Sequence, residues 1–581
     1  MSIFNFITLF GGLAFFLYGM NIMSNGLEQV AGSKLEDMLR KVTSKKFLAL
    51  LVGAGITIAI QSSSALTVML VGLVNAGIMR FGETIGILMG SNIGTTLTAW
   101  ILSLAGIESD NIIMSLLKPK NFAPIFALIG IILIMVAKSQ KKKSIGNILI
   151  GFSILMSGMT LMSDAMAPLS EMPEFVNILT AFKNPILAVI FGAVFTGIIQ
   201  SSAASVGILQ ALSLTGSITY SMAIPIIMGQ NIGTCVTAVL SSIGVSKNAK
   251  KVAVVHLMFN IFGTLICLIP FLVIDAIFTL PFADSAIDPF MIAVVHSIFN
   301  VATTFILLPF TKVLEKLANM LVKEATFEVN TTNPLDERLL TVPSVAVATA
   351  FNEASDMAAL AVKAYGKSID LLTKFSEADF EKVSEMETAL DNYEDQLGTY
   401  LVKLSKIEVP EKDNKTISVI LHAINDFERI GDHAQNLSYV AKEINDKHID
   451  FSSDAKKEIM VLHKAIVEIL DTTLNAFQNR DAKAASNIEP LEQVIDTLID
   501  EIKSRHINRL KKGECTIELG FVLTDLLTNL ERISDHCSNI GVAVIEGQHG
   551  TFDTHEYLHH MKEDSESFNN LVEAYAEKFD I

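Results

Sequence analysis

Residues 61–96 and 200–235 carry one signature twice. The first copy reads Gln61-Ser62-Ser63-Ser64-Ala65 and then Gly90-Ser91-Asn92-Ile93-Gly94-Thr95-Thr96. The second reads Gln200-Ser201-Ser202-Ala203-Ala204 and then Gly229-Gln230-Asn231-Ile232-Gly233-Thr234-Cys235. Every matched position differs by 139 (200 minus 61), without a gap. Earlier landmarks keep that offset: Gly12 with Gly151, Gly19-Met20 with Gly158-Met159, Gly53-Ala54 with Gly192-Ala193. Polar clusters inside apolar segments of a long internal repeat predict a secondary-transporter architecture, with a binding site where the repeats meet.

Charge divides the chain in two. Residues 1–320 hold 18 Lys+Arg and 13 Asp+Glu, net +5. The rest holds 26 (44 − 18) and 48 (61 − 13), net −22, so the overall −17 belongs to the second part. The first part predicts a membrane domain, residues 1–320, with repeats at about 1–138 and 139–310. Residues 321–344, with Asn333-Pro334 and Pro343, read as a linker. Residues 345–581 form helical patterns with charged outer faces and no convincing strand. The four cysteines have no CxxC spacing, which argues against a disulfide framework.

Asn184 to Ser246 contains no Asp, Glu, Lys, Arg or His, yet Gln200-Ser201-Ser202 lies inside it. A polar break in an apolar segment predicts a re-entrant hairpin or broken helix, because irregular backbone persists at membrane depth only around an enclosed cavity. Basic sets at Lys34–Lys46, Lys138–Lys143, Lys247–Lys251 and Lys312/Lys316 predict cytoplasmic loops, and the acidic region on the same side. The counterpart of the basic 34–46 stretch, 173–185, holds only Lys183, the asymmetry expected of inverted repeats.

Small residues at close helix contacts would explain scattered Ser, Thr and Gly. They would not explain Gln-Ser-Ser twice, each followed by Asn-Ile-Gly-Thr. Hydroxyls, amides and freed carbonyls suit a small hard cation, and N–H groups at broken-helix starts suit an anion. No basic side chain lies in 47–79 or 184–246, so an oxyanion there needs co-bound cations. These clusters, with His256-Leu257-Met258-Phe259-Asn260 and His296-Ser297-Ile298-Phe299-Asn300, resemble the sodium/phosphate cotransporter family (type II and its bacterial relatives) over essentially all of 1–310. The resemblance implies phosphate held by Gln61, Ser62, Ser63, Ser64, Gln200, Ser201 and Ser202, with Asn92 and Asn231 between them. It implies sodium at Gln200, Ser201, Thr234 and Thr237, with Thr95 and Thr98 as repeat mates. Ala203 departs from the family pattern where a third serine would stand. His256 and His296 are expected to tie helices together by hydrogen bonds, and Trp100 to anchor at the membrane interface.

The acidic part has its own duplication: Asn425-Asp426-Phe427-Glu428-Arg429-Ile430-Gly431-Asp432-His433 and Asn529-Leu530-Glu531-Arg532-Ile533-Ser534-Asp535-His536. Each copy puts Glu and Asp at i and i+4 on one helix face, where like charges repel unless a cation lies between them. A solvated acidic stripe is the alternative. These motifs resemble PhoU proteins, regulators of phosphate uptake built from two three-helix bundles, over about 345–547. That resemblance implies Glu428, Asp432, Glu531 and Asp535 as ligands of iron, zinc, manganese or magnesium, with Asp426 as a further candidate. His433 and His536 are expected to orient or pack, and His555, His559 and His560 to lie on the surface.

The expected fold class is all-α: a polytopic membrane domain of two inverted repeats with re-entrant hairpins, followed by a soluble PhoU-like helical bundle. The expected function is sodium-coupled inorganic phosphate transport by alternating access across the cytoplasmic membrane, regulated by the acidic domain on its cytoplasmic side. The expected partners are phosphate, sodium and the lipid bilayer, without nucleic acid; a homodimer stays open. No nucleophile–base pair or nucleotide loop suggests an enzyme. The alternatives are a phosphate sensor without transport, another oxyanion, or proton coupling.

Overall fold

The computed structural model describes residues 3–40, 46–106, 119–166, 168, 182–278, 280–322, 334–407, 409–549 and 566–581. It divides into two compact units, Met1–Val345 and Ala346–Ile581. Regular structure among the described residues is helical, apart from one isolated bridge between Thr219 and Ala286.

The first unit plays one helical pattern twice. Copy one is α1 (Ile3–Arg40), the hairpin α2 (Lys46–Ile60) and α3 (Ser63–Asn75), the broken helix α4 (Phe81–Gly94) and α5 (Thr96–Ser103), then α6 (Pro119–Val136). Copy two is α7 (Gln140–Met166), the hairpin α8 (Pro185–Ile199) and α9 (Ser202–Ser213), the broken helix α10 (Tyr220–Gly233) and α11 (Cys235–Ser241), then α12 (Lys247–Phe278). Helices α13 (Pro289–Leu307) and α14 (Thr311–Leu321) follow.

Local chemistry dictates the breaks. Gln61 and Gln200 end the first hairpin arms in the left-handed region, at φ 52° and 58°. Ser62 and Ser201 then extend the chain and cap the next helix, each Oγ accepting the N–H of Ala65 or Ala204 at 3.1 and 3.2 Å. The side chain thereby satisfies a donor that the bilayer interior cannot.

Glycines let backbones touch. Helices α1 and α7 run antiparallel: a Cβ on Gly12 would meet the Gly158 carbonyl oxygen at 3.0 Å, and one on Gly19 the Gly151 carbonyl oxygen at 2.6 Å. Each glycine therefore faces the repeat mate of the other. Within each repeat, α4 lies on α2 and α10 on α8, so close that a Cβ on Gly90 would sit 1.9 Å from the Leu50 oxygen. The inner hairpin arms cross between repeats, α3 packing on α11 and α9 on α5. Helices α12 and α13 touch elements of both repeats.

Among the described residues, seven helices are long and apolar enough to cross a membrane. Six lie in the first unit, whose outer surface exposes large apolar side chains such as Phe4, Phe10, Met135 and Ile198. The seventh, α15 (Pro343–Thr373), buries Ala354, Ala358, Ala361 and Tyr365, and its Phe351 ring stacks on Phe477 at 5.4 Å. It is a bundle helix, apolar because it is central.

The second unit continues with α16 (Glu377–Leu404), α17 (Glu411–Asp446), α18 (Ser453–Asn479), a single turn at Ala482–Ala485, α19 (Ile488–Lys511), α20 (Ile517–His549) and α21 (Glu566–Lys578). Helices α17 and α20, which carry the duplicated acidic motifs, pack directly on one another. The last described helix begins at Glu566; His555, His559 and His560 lie outside the described residues. The stretch read as a linker behaves differently at its end. A 3-10 turn, Glu337–Thr341, packs on α3 with Leu339 fully buried.

Candidate transport site and acidic clusters

At the first tip, Gln61 Oε1 accepts a hydrogen bond from Thr98 Oγ1 at 2.8 Å, while its Nε2 donates to the Ile58 carbonyl at 2.7 Å. The hairpin break is thereby tied to α5 of the same repeat. Ser63 opens α3, buried, and Ser64 is half-buried behind it. Asn92 is buried, with Nδ2 3.5 Å from Asn260 Oδ1 on α12. Thr95 spends its hydroxyl on the Ser91 carbonyl, 3.0 Å away.

The second tip repeats the backbone and changes the bonds. Gln200 is exposed, Ser201 half-buried and Ser202 buried. Thr234 Oγ1 donates to the Asn231 carbonyl at 2.6 Å, and Asn231 Nδ2 to the Ile227 carbonyl at 2.9 Å. Thr237, the mate of Thr98, keeps its Oγ1 buried without a hydrogen-bond partner. The bond that closes the first tip is therefore open in the second. Among the described residues, no hydrogen bond joins the two tips directly; the crossing of α3 onto α11 and of α9 onto α5 brings the repeats together. Buried Gln210 fastens the second crossing, donating to the Ala99 carbonyl at 3.0 Å and the Pro289 carbonyl at 2.9 Å.

His256 and His296 are buried, but Nδ1 of each lacks a partner, so these nitrogens tie no helices together. Trp100 donates from Nε1 to Ser297 Oγ at 2.9 Å and meets Phe290 edge-on at 5.3 Å, which locks α5 to α13. Asp426 accepts from His536 Nδ1 at 2.8 Å and from Asn539 at 3.2 Å, across the α17–α20 seam. The mate of that contact places His433 Nδ1 2.9 Å from Asn529 Oδ1, and the two imidazoles stack at 5.6 Å. The histidines pack and orient, as the sequence suggested.

Among the described residues, two carboxylate clusters form in the acidic unit, each from two helices. Glu387 and Asp391 of α16 meet Asp432 of α17; Glu492 and Asp496 of α19 meet Asp535 of α20. In each cluster the carboxylate oxygens lie within 4.8 Å of one another. The α16 and α19 carboxylates were missed in the sequence, although both repeat the Glu-x3-Asp spacing of the motifs that were read. Burial, reinforced by Asp432, pushes the Glu428 carboxyl up to about 7. Burial, then Asp391, raises Glu387; burial, then Asp535, raises Asp496; burial raises Asp535 itself. Each set is held against its own repulsion. Arg429 and Arg532 give partial relief at 3.2 Å from Asp432 and Asp535, and Lys503 at 3.3 Å from Glu531. An all-carboxylate donor set fits a hard divalent cation or iron better than a thiolate-seeking metal.

Comparison with known proteins agrees with this division. The Na+/Pi-cotransporter family model matches residues 15–164 and 157–271, and the PhoU domain model matches 354–441 and 459–544. The chain is similar to "Putative inorganic phosphate export protein YjbB" of Escherichia coli (strain K12), 23% identical over 553 residues, covering 93% of this chain and 97% of that one. It is 32% identical over 312 residues to "Uncharacterized protein YqeW" of Bacillus subtilis (strain 168), covering 53% of this chain and 96% of that one. It is also 32% identical over 106 residues to "Sodium-dependent phosphate transport protein 2A" of Rattus norvegicus, covering 18% of this chain and 17% of that one. Duplicated tips in a multi-pass membrane unit, followed by a duplicated acidic bundle, are thus accounted for together: the chain belongs to the Na+/Pi-cotransporter family and carries a PhoU domain.

Proposed function

We propose that the protein moves inorganic phosphate across the membrane together with sodium, by alternating access between two inverted repeats. The antiparallel α1–α7 pair supports the inversion, because Gly12 and Gly19 face each other's repeat mates. The observation that carries the reading is the unequal pair of tips. Both offer hydroxyls, an amide and a helix start with no basic side chain nearby. Only the second leaves a buried threonine hydroxyl, Thr237, open for a cation. Sodium at Gln200, Ser201, Thr234 and Thr237 would offset the charge of phosphate held by the serine tips with Asn92 and Asn231; Thr95 and Thr98 are the mates of that site in the first repeat. The C-terminal unit lies on the cytoplasmic side in this reading, where its acidic clusters, with Glu428 and Glu531 beside them, take up iron or a divalent metal and regulate transport. The absence of titratable side chains at the tips favours sodium over protons.

The test is radiolabelled phosphate flux in proteoliposomes under sodium, potassium or proton gradients, measured in both directions. The second direction matters because the relative YjbB is named for export. Flux dependent on sodium supports the reading. Flux driven by protons alone removes the sodium assignment, and no flux under any gradient removes transport.

A further inference from the structure

The turn Glu337–Thr341 does more than join two units. Asp336 caps it, buried, its Oδ1 accepting the Arg338 N–H at 2.8 Å. Asp336 Oδ2 accepts from Asn75 Nδ2 at 2.7 Å, and Asn75 is the last residue of α3. Asn75 Oδ1 accepts the Ser246 N–H at 2.8 Å, just before α12. Arg338 closes the ring. Its Nη1 lies 3.1 and 3.0 Å from the two Asp336 oxygens, its Nε donates to the Ser241 carbonyl at 2.8 Å, and its Nη2 donates to the Ile243 carbonyl at 3.1 Å. Leu339 is fully buried, with Cδ2 3.0 Å from where Gly72 of α3 would carry a Cβ.

These contacts join one repeat to the other. Helix α3 begins at Ser63 of the first tip and is a rigid rod of 13 residues, about 20 Å long. Helix α11 begins directly after Thr234 and ends at Ser241, whose carbonyl Arg338 holds. Each candidate binding element is thus one helix away from the same clamp. Two residues beyond the turn, the chain enters α15 of the acidic unit.

We propose that residues 335–341 are a strap that holds α3 of the first repeat against the end of α11 of the second and slows their relative movement. The proposal rests on the transport reading above, because alternating access requires the repeats to shift against one another. A half-buried, charge-assisted clamp across that boundary must loosen in each cycle.

The experiment uses the full chain in proteoliposomes. Asn75→Cys with Asp336→Cys is joined by a short thiol cross-linker, and the link is mapped by mass spectrometry to separate it from the four native cysteines. The unlinked double variant is expected to transport and the linked one to lose uptake about tenfold or more. Arg338→Ala, which releases both carbonyl bonds, is expected to speed uptake about three- to tenfold, with Arg338→Lys between it and wild type. Full uptake in the linked protein, or failure of the link to form, overturns the strap. So does an unchanged or slowed rate in Arg338→Ala. Absent flux in the wild-type chain overturns the transport reading instead.

Discussion

Gly90→Ala adds one methyl group at the closest approach in the membrane unit. Its Cβ would stand 1.9 Å from the Leu50 oxygen, 2.7 Å from the Leu50 carbonyl carbon and 2.9 Å from the Ala54 nitrogen. All three are backbone atoms, so no side chain can swing away. Reaching even 3.0 Å from the oxygen requires α4 to retreat from α2 by at least 1.1 Å (3.0 − 1.9). Helix α5 follows α4 through Thr95, so the shift stretches the 2.8 Å Thr98–Gln61 bond towards or beyond 3.5 Å, where it ceases to be one. Alanine gains about 1 kcal/mol over glycine in helix propensity. Overpacking against rigid backbone costs about 3 kcal/mol, so destabilisation wins. We expect a lower melting temperature in detergent and phosphate uptake reduced at least about tenfold, the tip being misplaced by about 1 Å. Gly229→Ala should behave alike, its Cβ falling 2.1 Å from the Val189 oxygen. Gly11→Ala is the control, with no atom within 4 Å. Wild-type melting and uptake in Gly90→Ala would refute the argument that these contacts set the tip geometry.

Thr237→Val should raise the sodium concentration needed for half-maximal uptake, whereas Thr98→Val should act on phosphate KM through Gln61; identical sodium curves for Thr237→Val and wild type would remove Thr237 from the cation site. Ser63→Trp and Ser202→Trp should each abolish uptake while membrane insertion, read by fractionation, stays normal; uptake at the wild-type rate would free those serines of any role. In the acidic unit the sign follows from the raised Glu428 carboxyl. With about 7 in the folded state against an ordinary 4.5, folding binds a proton, so metal-free stability falls as pH rises from about 4.5 through 7. After solvent screening the loss is about 1–2 kcal/mol. Added manganese should abolish this slope, and Glu428→Gln should flatten it; a melting temperature independent of pH in the presence of chelator would contradict the assignment. Metal content of Glu428→Ala with Glu531→Ala should fall, and fall further when Asp391→Asn and Asp496→Asn are added.

The repeats were legible because the offset is gapless and polar residues inside apolar segments have few structural uses. The hairpin breaks followed from Gln-Ser-Ser, where a serine cap requires a turn before it. The strap was not legible. Asp336 and Arg338 look like ordinary linker charges, and their partners Asn75 and Ser241 stand 261 and 97 residues away. The second half of each acidic cluster was missed for a related reason. A single Glu-x3-Asp on an acidic helix resembles a solvated face, and only the pairing of α16 with α17 and of α19 with α20 shows which face is enclosed. The Trp100 contact with Ser297 was not legible either, because an amphipathic ring suits a membrane interface and a hydrogen bond to a neighbouring helix equally well.

Gln61 and Gln200 hold backbone angles at which an ordinary side chain is a burden. Glycine would relax the backbone by about 1 kcal/mol at each tip; at Gln61 the lost bonds to Thr98 and Ile58 offset that gain, whereas the exposed Gln200 side chain has no such bonds to lose. A selection for thermal endurance alone would therefore drift towards Gln200→Gly, and with that step discard an amide from the place where the repeats present their polar groups. Stabilisation screens on this scaffold need an activity filter at Gln200 above all, since here the sturdier molecule and the working one are different molecules.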